Sequence, residues 1–357
     1  MTTMTTRTFI AAAASALVLA MASAQDATTT YKMCTTSDTQ QSECEKIFGE
    51  IAGKSDTWSC VQGDDVMSML ESGECNVAAD LDGHEVFDGS RDMGLQPVMA
   101  DDYSGNGDAL SYYAITVVPK TMCDENPELS LDDLKGMRSC HTGYRKTSGW
   151  TIPLATIIAG MPNGGDGNAS DVGVMTGMFP TMCAPGYDGD EEGATEATCA
   201  NCVGDCSKTD SEPYQGYDGA LRCMMEGQGD LAFVKHSTPL DYASDGAKPE
   251  EWSTVAMDDL RILCPTGGCA ELGSYESCNF AKVPSHMMVA SSDLDPAAIH
   301  ADLAPLNENA DFQKMLADGT DLFKSGTLGL VPITVPVDEH LGQMGKIYDT
   351  LENFGYY

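Results

Sequence analysis

The sequence predicts an α/β fold, because strand-like and helical segments alternate along its 357 residues. Short apolar runs rich in β-branched and aromatic residues are typical of strands, and longer runs with helical periodicity are typical of helices. Their alternation indicates helices packed on a sheet. The length suggests two compact units, and no flexible linker separates them.

The individual elements can be placed in chain order. Strands are predicted at residues 86–87, 112–118, 231–234 and 287–290. Helices are predicted at residues 64–71, 150–159 and 297–303. Glycine-rich, acidic stretches at residues 163–167 and 186–193 predict surface loops.

The amino terminus has the pattern of a signal peptide over residues 1–24. Arg7 precedes an apolar run at residues 9–21, which ends in Ala22-Ser23-Ala24 before Gln25. The run is shorter than the roughly 20 residues that a membrane-spanning helix needs. No later stretch is long and apolar enough to span, so we expect a secreted or cell-surface protein.

The composition indicates the cellular compartment and limits the classes of partner. The chain has 14 cysteines, an even number that indicates disulfides in a secreted protein. Its formal net charge of −36 would repel nucleic acid and anionic membranes, so we expect neither as a partner. A solvated acidic surface suited to a salty medium explains the charge, and a basic small ligand or a metal cation stays open as a partner.

The segment at residues 140–150 has the composition of an anion-binding loop. It combines Thr142, the cations Arg145 and Lys146, and the pair Ser148-Gly149 just before the helix predicted at residues 150–159. Free amides at a helix start, and the helix dipole, favour an anion there. The alternative is that these small and basic residues only cap the helix.

Several other site patterns fail on inspection. Residues 188–199 begin like a calcium loop, but the twelfth position is Cys199 where a bidentate glutamate is required. Cys199-Ala-Asn-Cys202 has Cys206 close by, which favours a disulfide knot over a zinc or redox pair. No nucleophile elbow, Walker loop or dinucleotide fingerprint is present. Asn168-Ala169-Ser170 is a candidate glycosylation site.

Four motifs occur together in a specific order. They are Cys-His-Thr-Gly at 140–143, Gly-Tyr-Asp-Gly-Ala at 216–220, Gly-Asp-Leu-Ala-Phe-Val-Lys-His-Ser-Thr at 229–238 and Val-Pro-Ser-His at 283–286. With Leu81-Asp82 and Ser111-Tyr112, this combination resembles one lobe of a transferrin from about residue 31 to about residue 347. The resemblance implies one lobe of two α/β subdomains, with a ligand cleft between them as in periplasmic binding proteins.

The resemblance also implies a site for ferric iron and carbonate. The implied iron ligands are Asp82, Tyr112, Tyr217 and His286, and the implied carbonate site is Thr142, Lys146, Ser148 and Gly149. Ferric iron is a hard cation that prefers oxygen anions, and one imidazole completes the protein's share. Without the resemblance, the aspartate would be a helix cap, the tyrosines would be ordinary strand and turn residues, and the histidine would be a core residue.

The sequence departs from the family pattern at several site positions. Lys146 stands where the family has an arginine, and Arg145, one place earlier, is an alternative cation for the anion. His84 stands where a glycine usually follows the aspartate, and Asp80 competes with Asp82 for the match.

The acid trigger of some family lobes is also incomplete. Lys235 matches one lysine of the family's trigger pair, but the expected partner position near Pro332 carries no lysine. We therefore expect no paired-lysine trigger. Protons still compete with iron for the ligands, so affinity should fall with acidity.

Five disulfides follow from the resemblance. They are Cys44–Cys60, Cys140–Cys223, Cys183–Cys202, Cys199–Cys206 and Cys264–Cys278. Four cysteines stay without an assigned partner: Cys34, Cys75, Cys123 and Cys269.

The implied subdomains are discontinuous in sequence. The first comprises residues 27–111 and 287–357, and the second comprises residues 112–286, so the chain crosses between them near Tyr112 and His286. Ligands at both crossings would couple binding to hinge closure.

We predict a monomeric iron-binding protein that captures Fe³⁺ with carbonate for uptake, transport or sequestration, and that engages a cell-surface receptor. The alternative is a transferrin-fold protein that has lost iron and acts as an interaction or inhibitor module. Its support is the substituted Lys146 and His84. An enzyme activity such as hydrolysis has no motif in its favour, so we predict that the protein is not an enzyme.

Overall fold

The structure is a computed structural model that describes residues 30–103, 111–161, 169–187, 189, 191–324 and 326–356. Some predictions therefore lie outside the described residues: the signal peptide at 1–24, the loop at 163–167 and the glycosylation site at Asn168. Asp188 and Asp190 of the rejected calcium loop also lie outside them.

The first sheet takes its strands from two distant parts of the chain. They are β1 (Tyr31–Thr35), β2 (Trp58–Gln62), β3 (Val77–Leu81), β4 (Gln96–Asp102), β12 (Met287–Ala290) and β13 (Gly329–Pro332). Among the described residues the strand order is β13-β4-β12-β3-β1-β2. Strand β12 lies between β3 and β4 and is antiparallel to both, so a late segment of the chain completes a sheet begun by the early one.

The second sheet uses only the central part of the chain. Its strands are β5 (Ser111–Pro119), β6 (Arg138–His141), β7 (Thr181–Cys183), β8 (Leu231–Lys235), β9 (Leu260–Leu263), β10 (Cys269–Ala270) and β11 (Ala281–Pro284). The order in the described part of the chain is β10-β9-β5-β8-β6-β7, and β11 pairs with the first half of β5. The strands predicted at 112–118, 231–234 and 287–290 are confirmed as parts of β5, β8 and β12.

Helices cover both sheets. They are α1 (Asp38–Glu45), α2 (Val66–Ser72), α3 (Gly83–Met93), α4 (Lys120–Glu125), α5 (Ile152–Gly160), α6 (Asp171–Met178), α7 (Ala194–Cys199), α8 (Gly216–Met225), α9 (Ser237–Tyr242), α10 (Pro296–Leu303), α11 (Ala310–Asp318), α12 (Val337–Leu341) and α13 (Gln343–Asn353). The helices predicted at 64–71, 150–159 and 297–303 are confirmed as α2, α5 and α10, and a π-helical turn at Thr147–Thr151 leads into α5. The α/β class predicted from the sequence is therefore correct.

The strand predicted at residues 86–87 is wrong, because these residues lie inside α3. Asp82 caps this helix, and Glu85 reaches back to the Asp82 backbone amide in a capping box. Gly94 ends the helix in the left-handed conformation, with φ of 69°. Val86 and Phe87 form only part of the apolar face of this helix, and two residues are too few to show the helical period.

Along the chain, the strands belong first to one sheet, then to the other, and then to the first again, so the chain crosses between the sheets twice. The first passage joins β4 to β5, and the second joins β11 to β12 through Ser285 and His286. The carboxyl-terminal helix α13 follows the first sheet in sequence, yet its Met344, Tyr348 and Leu351 are buried in a cluster with Leu154 of α5. The exact subdomain limits, at 27–111 with 287–357 and at 112–286, remain a proposal.

Disulfides link neighbouring elements within each sheet region. All five implied pairs are present, and the remaining cysteines form Cys34–Cys75 and Cys123–Cys269. Cys140–Cys223 joins β6 to α8 and so fixes two elements that carry site residues. No helix in the described ranges combines the length and the apolar composition needed to cross a membrane.

Candidate metal centre

Two tyrosines from different elements approach each other at the end of the second sheet where β5 begins. Tyr112 lies near the start of β5, Tyr217 lies in the first turn of α8, and their ring centroids are 6.4 Å apart in an edge-to-face arrangement. The nearby loop contributes Ser148, whose Oγ atom is buried and has no hydrogen-bond partner among the described residues. Burial raises the pKa of both phenols, so each stays protonated in the metal-free protein. Only a strong local cation makes such phenolates available near neutral pH.

The loop predicted to hold an anion is packed tightly on the end of β6. Thr142 follows that strand and is 5% exposed. A Cβ atom at Gly149 would lie 2.1 Å from Thr142 Oγ1 and 2.6 Å from Thr142 N, so only glycine fits there. Ser148 and Gly149 are both buried within the π-helical turn, whose first amides have no partner within the helix. Thr142 and Gly149 are therefore in close contact, and Ser148 lies next to Gly149 in the same turn.

A buried histidine holds this loop in place. The His141 ring hydrogen bonds through Nδ1 to the Gly149 carbonyl at 2.6 Å and through Nε2 to Ser139 Oγ at 2.7 Å. Burial lowers the pKa of His141 to about 4, so the ring is neutral at physiological pH. Its tautomer that donates to Gly149 ties the loop to the strand.

The two candidate cations of the loop point in different directions. Arg145 Nε pairs with Asp171 Oδ2 at 3.1 Å, and its guanidinium lies over the Tyr144 ring at 5.1 Å. The charge of Lys146, in contrast, lowers the pKa of Asp80 and of His286, which belong to the first sheet region. Arg145 is therefore engaged on α6, whereas the charge of Lys146 acts on groups of the other half of the site.

His286 is the candidate nitrogen ligand, and it sits at the passage between β11 and β12. Its Nδ1 lies 3.1 Å from the Tyr103 hydroxyl, which also accepts a hydrogen bond from the His286 amide at 3.2 Å. Burial, followed by the charge of Lys324, lowers the pKa of His286 to about 4. The imidazole is thus neutral, and with the proton on Nδ1 its Nε2 lone pair is available for a metal.

Asp82 is the N-cap of α3, which is the role expected for this aspartate without the family resemblance. Its Oδ1 accepts hydrogen bonds from the amides of His84 at 2.8 Å and Glu85 at 3.1 Å. Capping uses one carboxylate oxygen and leaves the other for a ligand. The Asp82 charge raises the pKa of Asp80, which places the two carboxylates in one electrostatic neighbourhood with His286.

Asp80 lies close to His286. Its Oδ1 is 4.0 Å from His286 Nε2, and its backbone has φ of 60°. Burial raises the pKa of Asp80 to about 6, with Lys324 and Lys146 acting in the opposite direction. Asp80, which competes with Asp82 for the family match in the sequence, therefore also has geometric support as a candidate ligand.

The other two departures from the family pattern concern His84 and Lys235, and neither residue is a candidate ligand. His84 Nε2 is 3.6 Å from Asp88 Oδ2 within α3, and its ring packs against Tyr348 of α13. Lys235 Nζ lies over the Tyr217 ring at 4.9 Å, and burial lowers its pKa. The charged groups that act on Lys235 are Asp241, Lys248 and Asp218.

Three residues near the site were missed by the sequence analysis: Tyr103, Asp101 and His141. Asp101 is 2% exposed, donates its amide to the His286 carbonyl at 2.9 Å, and accepts from Thr327 Oγ1 at 2.8 Å. Burial raises the pKa of Asp101 to about 7. A signal was present, because two acidic residues end the apolar run of β4, and aspartate is rarely buried without a role.

The residues fall into two groups, one carried by elements of the second sheet region and one by elements of the first. One group holds Tyr112, Tyr217 and the anion loop, and the other holds Asp80, Asp82 and His286. The charge of Tyr217 raises the pKa of Tyr103, and Lys146 acts on His286, so the groups lie within electrostatic range. Two phenolates, carboxylates and an imidazole form a donor set suited to a hard trivalent cation.

Comparisons with known proteins show what the chain is similar to. The sequence profile described as Transferrin matches residues 31–354. The chain is 32% identical over 335 residues to melanotransferrin of Oryctolagus cuniculus, covering 86% of this chain and 43% of that protein. It is 33% identical over 333 residues to serotransferrin of Paralichthys olivaceus (89% and 44%) and 30% identical over 356 residues to transferrin of Blaberus discoidalis (90% and 48%). The chain therefore spans less than half the length of these relatives.

Proposed function

Because this chain belongs to the transferrin family, we propose that it binds ferric iron together with carbonate, for uptake, transport or sequestration. The single observation that carries the proposal is the approach of Tyr112 of β5 and Tyr217 of α8, whose ring centroids are 6.4 Å apart. Edge-to-face packing of the two rings does not need either hydroxyl. As phenolates, they are strong ligands for a hard cation.

Each ligand has a role that its surroundings support. Tyr112 and Tyr217 would release their phenol protons to solvent on binding Fe³⁺ and supply negative oxygens. His286 supplies neutral Nε2, because Tyr103 fixes its ring through Nδ1. Asp82 supplies the carboxylate oxygen that does not cap α3, so metal binding and the position of α3 are linked.

Carbonate would bind at the anion loop. Thr142 and the amides of Ser148 and Gly149 donate hydrogen bonds, and Lys146 supplies the positive charge. Lys146 is favoured over Arg145 because Arg145 is paired with Asp171. A lysine acts as a point charge without the fork of an arginine, so the anion is held mainly by the loop itself.

The seven disulfides fit an oxidising compartment, in keeping with a secreted or cell-surface protein. We propose that the protein is a monomer, is not an enzyme, and delivers iron through a cell-surface receptor. The interaction-module alternative loses one of its two supports, because His84 lies beside Asp88 and Tyr348 and not among the ligands.

The test is an absorbance titration of the metal-free protein with chelated ferric iron, with and without bicarbonate. We expect a phenolate-to-iron charge-transfer band that saturates at about one iron per chain and is stronger with bicarbonate than without it. Tyr217→Phe should weaken iron binding by at least about tenfold and reduce the band, because one phenolate is lost.

Tyr113→Phe is the matched control. Tyr113 is the next residue on β5, but its ring packs on His236 and Tyr275, away from Tyr217. It should keep the band and the affinity. Absence of the band in the wild-type protein under both conditions would exclude the iron site and favour the interaction module.

A further inference from the structure

Strand β3 contains an irregularity directly before Asp82. In its antiparallel pairing with β12, Leu81 faces Met287 and Ala78 faces Val289, so Ala79 and Asp80 together face Met288 alone. This is a β-bulge, and Asp80 takes the left-handed conformation with φ of 60°. Bulges next to functional sites commonly redirect a side chain.

The redirected side chain points at the candidate nitrogen ligand. Asp80 Oδ1 is 4.0 Å from His286 Nε2, the nitrogen left available by the contact of Nδ1 with Tyr103. Oδ1 is buried and has no hydrogen-bond partner among the described residues. A buried carboxylate oxygen without a hydrogen bond is costly and calls for a cation.

The distance suits one metal ion between the two atoms. Metal–oxygen and metal–nitrogen bonds of about 2.0–2.2 Å put two ligands of one ion between about 3.0 Å apart when adjacent and about 4.2 Å apart when opposite. The 4.0 Å separation of Asp80 Oδ1 and His286 Nε2 lies inside that interval. An ion bound to both atoms therefore requires little movement of either side chain.

The surrounding charges show how a second carboxylate is tolerated. Asp82 is close enough to disfavour the charge of Asp80, while Lys324 and Lys146 favour it. Lys146 belongs to the anion loop, and Lys324 follows Phe323 near the first sheet. Cations from both halves of the site therefore favour the charged form of Asp80. A trivalent cation would add to this compensation.

We propose that Asp80 is a further ligand of the metal centre, binding Fe³⁺ beside His286 in addition to Asp82; this inference rests on the proposed iron-binding function. Asp80 would take one of the positions that a bidentate anion otherwise fills. The site would then hold iron with less dependence on bicarbonate, which suits an anion loop whose cation is Lys146. A purely electrostatic role, in which Asp80 only pairs with Lys324 and Lys146, is the alternative that the test must separate.

Asp80→Asn is the informative variant. Asparagine matches the shape of aspartate and tolerates positive φ, so the bulge should be retained. We measure three properties: thermal unfolding of the metal-free protein, iron affinity by competition with citrate at high and low bicarbonate, and the spectrum of the iron complex by visible absorbance and electron paramagnetic resonance. We expect at least about tenfold weaker iron binding, a shifted spectrum and a steeper dependence on bicarbonate.

Asp88→Asn is the matched control, because Asp88 is also an aspartate facing a histidine, with Oδ2 3.6 Å from His84 Nε2. It removes the same charge without touching the site and should leave the affinity and the spectrum unchanged. Asp80→Gly is the second variant, since glycine accepts φ of 60° without strain and removes the carboxylate. It should weaken iron binding as Asp80→Asn does, even if Asp80→Asn unfolds at a lower temperature.

The outcomes separate the two proposals. If the wild-type protein forms no iron complex, the proposed function itself fails. If the wild-type complex forms and the Asp80→Asn complex has the same affinity and spectrum, Asp80 is not a ligand. Weaker binding with an unchanged spectrum also overturns the proposal, because it shows an electrostatic contribution alone.

Discussion

At the scale of single residues, Gly149 shows how little freedom the anion loop has. Its missing Cβ leaves room for Thr142, whose Oγ1 and amide both lie within 3.0 Å of where that atom would be. Sequence analysis placed Gly149 in the loop through its position before a helix, but the reason for glycine is a contact between two turns of the chain. No local pattern reveals such a contact.

Gly149→Ala should therefore disrupt the loop. We expect a loss of about 1–3 kcal/mol in the free energy of unfolding, because the new methyl group overpacks against Thr142. Bicarbonate-dependent iron binding should weaken as well, by at least about tenfold. Denaturant unfolding of the metal-free protein and iron titration measure the two effects.

Gly160→Ala serves as the comparison, since Gly160 ends α5 and a Cβ there meets no atom within 4 Å. Its stability should be unchanged or slightly raised, and its iron binding unchanged. Equal behaviour of the two variants would show that the Thr142 contact does not constrain the loop.

At the scale of elements, helix α3 begins at a candidate ligand. Asp82 satisfies the amides of His84 and Glu85 with Oδ1, and Glu85 Oε2 accepts from the Asp82 amide at 2.9 Å. Burial, followed by the Asp82 charge, raises the pKa of Glu85 to about 7. The Asp82 carboxylate thus caps the helix, raises the pKa of Glu85 and is a candidate iron ligand. These contributions can be separated by substitution.

Three substitutions separate the cap from the ligand. Asp82→Asn keeps a good N-cap, so stability should be unchanged or slightly raised while iron affinity falls by at least about tenfold. Asp82→Ala should lose that affinity and also about 0.5–2 kcal/mol of stability. Asp65→Ala removes the N-cap of α2, where Asp65 accepts from the Ser68 amide, and should lose stability alone. Chemical denaturation and chelator competition give both quantities, and full iron affinity in Asp82→Asn would remove Asp82 from the ligand set.

The element predictions failed where the segment was short. Residues 86–87 are apolar and β-prone, yet the cap at Asp82 and the ending at Gly94 make them helical. The longer predictions for α2, α5, α10, β5, β8 and β12 were correct, because several residues show the period of the structure. The Cys34–Cys75 and Cys123–Cys269 bridges stayed open because connectivity does not follow from spacing.

At the scale of the whole molecule, the candidate ligands come from both sheets, so protons and iron are linked through the entire fold. The pKa of Tyr112 and of Tyr217 is raised by burial in the metal-free state, so both phenols carry protons near pH 7. Bound to iron, both are phenolates. Binding therefore releases protons, and the affinity must fall as the pH falls.

We expect the release of about two protons from the tyrosines for each iron bound near pH 7, together with any proton from bicarbonate. Lowering the pH by one unit should then weaken binding by about 100-fold or more. Proton release into weakly buffered solution and chelator competition near pH 7 and pH 6 test this. Tyr217→Phe should release about one proton fewer, and an affinity that is equal at the two pH values would contradict the linkage.

The sequence by itself determined the α/β class and most long elements, because these depend on local period; its resemblance to the family, carried by motifs in a fixed order, implied five disulfides and the residue types of a hard-metal site. Only the tertiary structure decided that Arg145 pairs with Asp171 while the charge of Lys146 acts on Asp80 and His286, that Tyr103 contacts the His286 ring, and that Asp80 at a bulge lies near that histidine. These facts depend on contacts between residues as many as 206 positions apart, such as Asp80 and His286. Side-chain direction at such contacts is set by packing, which sequence spacing does not encode.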